Sequence, residues 1–149
     1  MSFRFPLEAI LRLRRGQQRL EELRLAALQV EIKKNQDSLA ALEVEMRACS
    51  TWGGDGVAER FGAELHFLSH RREQLAQQRN TVLQLREALH AQCSSQQARL
   101  RAAQQAREVI ESLRRDQVQL YQAERSRKEQ AQADDRILQQ RWRGEHSGK

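Results

Sequence analysis

His66 and His70 lie four residues apart and Glu73 follows one turn on, so a helix would bring all three to one face at a spacing that can hold zinc. The set lacks a His-Glu-x-x-His arrangement and a second ligand pair, and two surface histidines are the reading the residues favour. Cys49 and Cys93 are too few for a disulfide scaffold and have no metal-ligand spacing. They read as small seam or surface residues in a reducing cytosol. There is no Gly-rich phosphate loop, no G-x-S-x-G and no helix–strand alternation to build a pocket. The expectation is no catalytic residue, no metal and no cofactor, and therefore a protein that acts by binding other proteins.

The elements that carry these residues are helices. Of 149 residues, 39% are hydrophobic, 31% charged and only 5% aromatic, too polar for a large closed core. Seven glycines and one proline among abundant Leu, Ala, Gln, Glu and Arg describe strong helix formers summed along a chain. Nowhere do 18 apolar residues run together, so membrane contact is expected to be peripheral, and the charged N-terminus is no signal peptide. The formal charge of +6 raises nucleic acid as a partner, but basic and acidic residues alternate throughout. Runs such as Arg125-Ser126-Arg127-Lys128 lie beside Glu, as on a solvated helix face. No nucleic-acid binding is expected.

Pro6 suits the first turn of a helix, where its missing N–H costs nothing. The first helix is placed at about 6–50. Within it Leu25, Leu28, Ile32, Asn35, Leu39, Leu42, Met46 and Cys49 alternate spacings of three and four, the pattern of a coiled-coil seam. Leu13, Leu20, Leu23, Ala27 and Val30 follow a neighbouring phase, which implies a stutter around Ala27 and Leu28. Asn35 is either a register device or an exposed amide beside that shift. Three glycines within residues 53–56 mark a turn at 51–56, with Asp55 able to cap the next helix.

The second helix is placed at about 57–142, ahead of a frayed tail at 143–149. One heptad phase runs through Phe61, Leu68, Leu75, Val82, Leu89, Gln96, Ala103, Ile110 and Gln117, with Leu85, Ala106, Leu113 and Leu120 as companions. The fold class is thus all-α: a single domain of one long antiparallel two-helix coiled-coil hairpin, with an overhanging C-terminal helix. At 1.5 Å per residue the helices would span ~65 Å and ~130 Å. With the turn centred on Gly54, Leu7 faces roughly position 101, and the rest of the second helix has no intramolecular partner. Val109, Ile110, Leu113, Val118, Leu120, Tyr121, Ile137, Leu138 and Trp142 give that overhang an apolar stripe that something must cover. A homodimer, a shifted hairpin register and a helix offered to a different protein are the expectations, with Trp142 as the anchor of the last. Trp52 folds over Phe61 or serves as a contact point at the turn.

The opening Phe3-Arg4-Phe5-Pro6-Leu7-Glu8-Ala9-Ile10-Leu11-Arg12-Leu13-Arg14 resembles the start of the FliJ family, small coiled-coil proteins of the bacterial flagellar export apparatus. The stretch Tyr121 to Asp135, with Lys128-Glu129-Gln130 ahead of an acidic pair, is similar to the family's C-terminal part. Stalk proteins of virulence-type secretion systems share the architecture. The resemblance implies a stalk that binds the flagellar export ATPase, with other surfaces for the cytoplasmic domain of the export gate and for export chaperones. It implies a cytoplasmic protein held peripherally, through its partners, at the inner face of the inner membrane. Carried over residue by residue, it implies that Phe5, Leu7, Leu11, Arg14, Tyr121, Glu124, Arg127, Lys128 and Glu129 face the ATPase. The gate surface falls in the variable middle and is placed around Met46, Trp52, Phe61 and Leu65.

Overall fold

A computed structural model describes residues 3–51 and 62–146 of the chain, with side chains through 144. Two helices make up nearly all of it, α1 over Glu8–Thr51 and α2 over Gly62–His146. They pack against each other and, among the described residues, no strand accompanies them. The glycine turn, Trp52 and Phe61 lie outside the described residues. The contacts divide the chain into two units, Gln18–Ala102 and Met1–Gln17 with Ala103–Lys149.

In the unit Gln18–Ala102, all eight expected seam positions of α1 from Leu25 to Cys49 turn inward, half-buried or buried. Across from them Leu68, Leu75, Val82, Leu89 and Gln96 of α2 also turn inward, Leu75 with no exposed surface. Full burial of such a leucine contributes about 1.5–3 kcal/mol. A two-helix seam shields most of its residues only partly, so few of them reach that value.

The stutter is absent. Gln18 and Glu21 continue the spacing back from Leu25 and are half-buried, while Leu20, Leu23 and Val30 are more than half exposed. The phase is set by what the partner helix offers: Gln96 of α2 donates from Nε2 to the Glu21 carbonyl at 3.1 Å and to the Glu21 carboxylate. A polar residue with a buried hydrogen-bond partner holds a seam position that hydrophobicity alone would give to leucine.

Asn35 does the same further on. It is 6% exposed and its Nδ2 donates to the Val82 carbonyl at 3.1 Å, whereas its Oδ1 is buried without a partner in the protein. This resolves its role toward fixing register. Asn35→Leu should raise the melting temperature, since it removes an unsatisfied buried oxygen worth about 1–3 kcal/mol. It should also broaden the distance distribution between spin labels at residues 31 and 86. A distribution as narrow as that of the parent would show that register is fixed elsewhere.

At its C-terminus α1 has no basic residue in the last turn. Arg72 of α2 supplies the cation, donating from Nη2 to the Cys49 carbonyl at 3.0 Å, where the helix dipole favours positive charge. Arg71 reaches Glu45 at 2.9 Å, and Ser50 and Thr51 return their hydroxyls to the carbonyls of Arg47 and Ala48.

In the other unit, α1 starts at Glu8 and not at Pro6, because the turn that precedes it closes from the Glu8 N–H to the Phe5 carbonyl at 3.2 Å. Phe5 and Leu11 are buried and Leu7 half-buried against α2, where Ala103, Ala106, Ile110, Arg114, Gln117 and Tyr121 turn inward. Glu8 meets Arg114 at 3.6 Å and Arg15 meets Glu111 at 3.0 Å. The residues near 101 that a turn at Gly54 implied are therefore not the partners of this end of α1. In the unit Gln18–Ala102 the bonds of Asn35 to Val82 and of Gln96 to Glu21 likewise lie farther along α2 than a centre at Gly54 gives.

The companion phase on α2 also differs. Of the expected companions Ala106 turns inward, whereas Leu85, Leu113 and Leu120 are exposed at 53%, 43% and 64%, and Cys93, Leu100, Arg107, Arg114 and Tyr121 also take inward places. The long stems of Arg107 and Arg114 line the seam while their guanidinium groups reach carboxylates at its edge. α2 then runs on past Trp142 to His146.

Candidate functional site

His66, His70 and Glu73 are all exposed, and His70 Nε2 lies 3.1 Å from the Gln74 amide. Among the described residues no three His, Cys, Asp or Glu side chains come together as metal ligands. Cys49 and Cys93 are free, half-buried thiols. The unit Met1–Gln17 with Ala103–Lys149 carries the longest exposed stretch of the described residues.

There the two-helix packing ends in an aromatic contact. The rings of Phe3 and Tyr121 have centroids 5.6 Å apart at an interplanar angle of 50°, within the range in which tilted ring pairs attract. From Gln122 to Gly144 every residue of α2 is exposed. Tyr121, Glu124, Arg125, Lys128, Glu129 and Gln132 line one shallow depression along this stretch. Arg125 Nε donates to Glu129 at 2.7 Å, and that hydrogen bond, with the carboxylate's charge, raises the Arg125 pKa above the ordinary guanidinium range. Two turns further, Leu138, Gln139, Trp142 and Arg143 form an apolar ledge with a polar rim. Ile137, Leu138 and Trp142 keep half or more of their surface in water.

The residues singled out from sequence divide into two groups. Glu124, Arg127, Lys128 and Glu129 stand on the open stretch of α2. Phe5, Leu7 and Leu11 are packed into the seam, and Arg14 is half-buried with its Nη1 on Gln17 at 3.1 Å. The packed residues position the helices at this end. The apolar groups that face water near it are Ile10, Leu13, Val109, Leu113 and Leu120. Helical phase is the only sequence signal for these: spacing alone puts Leu113 and Leu120 inward, and only the partner helix reveals that they point out. Of the residues placed around the gate, Met46 is a half-buried seam residue and Leu65 is 40% exposed. Phe67 and Val44, exposed at 67% and 64%, escape a reading by spacing because neither lies on the expected heptad phase.

Two long helices, with α2 exposed from Gln122 to Gly144 and no cluster of metal-ligating side chains among the described residues, leave the family open. A family model described as Flagellar FliJ protein matches residues 3–147, nearly the whole chain. The chain belongs to the flagellar FliJ family. Comparison with curated proteins gave no match, and comparison with solved structures gave none either. Membership in the FliJ family makes this a component of the flagellar export apparatus. No helix among the described residues is long and apolar enough to cross a membrane.

Proposed function

We propose that this FliJ-family chain is a stalk and adaptor of the flagellar export apparatus that binds the export ATPase through the open stretch of α2. One observation carries the reading: from Gln122 to Gly144 a helix with Ile137, Leu138 and Trp142 on it is exposed throughout. Such a helix suits a protein groove, with apolar anchors for burial and the charges of Glu124, Arg127, Lys128 and Glu129 for orientation and encounter rate. The packed ends at Phe5, Leu7, Leu11 and Tyr121 hold that helix in place. Contacts with the export gate and with chaperones use other surfaces, and these partners bring the protein to the cytoplasmic face of the inner membrane. Catalysis belongs to the ATPase.

The test is ATP hydrolysis by the cognate export ATPase with and without this protein, alongside sizing of the ATPase. Stimulated turnover with a shift to ring-sized particles is the expected result. Unchanged turnover and no complex, together with a concentration-independent dimer of this chain, would replace the stalk by a self-associating coiled coil.

A further inference from the structure

In the unit Gln18–Ala102, α1 carries a second apolar stripe. Leu20, Leu23, Ala27 and Val30 repeat the three-and-four spacing of a coiled-coil seam, and their larger members are exposed at 55%, 59% and 54%. At 100° per residue the centre of this stripe falls ~150° around the helix from the seam formed by Glu21, Leu25, Leu28 and Ile32. A helix that packs on one side only has no use for a second seam. In the facing part of α2, from Leu75 to Ala102, the only exposed large hydrophobic residue among those described is Leu85. Two seams on nearly opposite sides are the mark of a helix packed between two others.

The flanking charges say what the third helix is. Arg19 and Lys33 border the stripe on one side, and Arg24 and Glu31 on the other, all exposed. Arg24 and Glu31 are engaged along the helix itself, with Glu21 at 2.7 Å and Lys34 at 2.9 Å. A second copy of this chain fits poorly. Parallel pairing of two such stripes sets Arg19 against Arg24 of the other copy, and antiparallel pairing sets Arg19 against Lys33, which cancels what Arg24 gains against Glu31, whereas acidic flanks meet three cations and one anion. We infer that Leu20, Leu23, Ala27 and Val30 dock an amphipathic helix of another protein, with an apolar stripe of matching spacing and acidic residues at its flanks, making a three-helix coiled coil with α1 and α2. Aliphatic contacts supply the burial, and Arg19 and Lys33 select acidic over basic partners. This face and its charges are separate from the ATPase-binding stretch, and the inference stands without that reading.

The probe is a fluorescent four-heptad helical peptide with Leu at its core positions and Glu at both flanking positions, titrated with the full-length chain. A control peptide carries Lys at the flanks. The Glu-flanked peptide should bind, and the Leu23→Gln/Val30→Gln chain should bind it about tenfold or more weakly with an unchanged helical signal, since both side chains are exposed. Arg19→Glu/Lys33→Glu alters no apolar contact and should reverse the preference between the two peptides. Equal binding of both peptides, or binding insensitive to either pair of substitutions, would overturn the inference. So would a dimer in sedimentation equilibrium that Leu23→Gln/Val30→Gln dissolves, for then a second copy occupies the face.

Discussion

Leu75→Ala should lower the stability of the chain by about 3 kcal/mol and its melting temperature by about 10 °C, because the leucine is fully enclosed and its removal leaves a cavity between two helices. Leu85→Ala, ten residues along the same helix, should change stability by less than about 0.5 kcal/mol, since Leu85 is 53% exposed. The contrast separates two assignments that composition cannot, as both positions are leucines in a strongly periodic helix. Thermal melts followed by circular dichroism decide it. Equal losses at the two positions would mean that α2 presents a different face to α1.

Removing residues 122–149 should leave the rest of the chain folded and, if the proposed stalk role holds, silence it toward the export ATPase. From Gln122 to Gly144 each residue is exposed, so little packing is lost, and the melting temperature should move by less than about 3 °C. Helicity per residue should hold, because the remaining α1 and α2 keep their Phe3–Tyr121 contact and their Arg15–Glu111 and Glu8–Arg114 pairs. Stimulation of ATP hydrolysis should fall to the level without this protein. A collapsed melt would make the segment a structural part of the fold, and undiminished stimulation would move the ATPase contact to another surface.

Where apolar residues held the seam, its course was legible in the sequence. Leu25 to Cys49 of α1 and the phase through Leu68, Leu75, Val82 and Leu89 of α2 all turn inward as their spacing requires. The spacing misled where polar residues took seam positions. Gln18 and Glu21 displaced Leu20 and Leu23, and Arg114 displaced Leu113. A hydrophobicity pattern ranks side chains one helix at a time. The Gln96–Glu21 bonds and the Arg114–Glu8 pair exist only once the second helix is in place.

Register failed for a related reason. A centre assumed at Gly54 fixes every pair at once, and the bonds of Asn35 to Val82 and of Gln96 to Glu21 lie farther along α2 than it allows. The candidate surface was half legible. Glu124 and Arg127 stand outside on a stretch of α2 exposed throughout, whereas Phe5 and Leu11 could be placed only by knowing what they pack on.

Asn35 and Gln96 give the unit Gln18–Ala102 a mechanical property. Each ties one helix to the other through an amide in a largely apolar seam, at Val82 and at Glu21. Leucines tolerate sliding by a heptad, about 10 Å, because another leucine arrives in the vacated place. The two amides do not, since one step would strand both at once. Force applied along one helix is therefore passed to its neighbour as stiffness against shear, and the pair can twist or bend together but resists sliding.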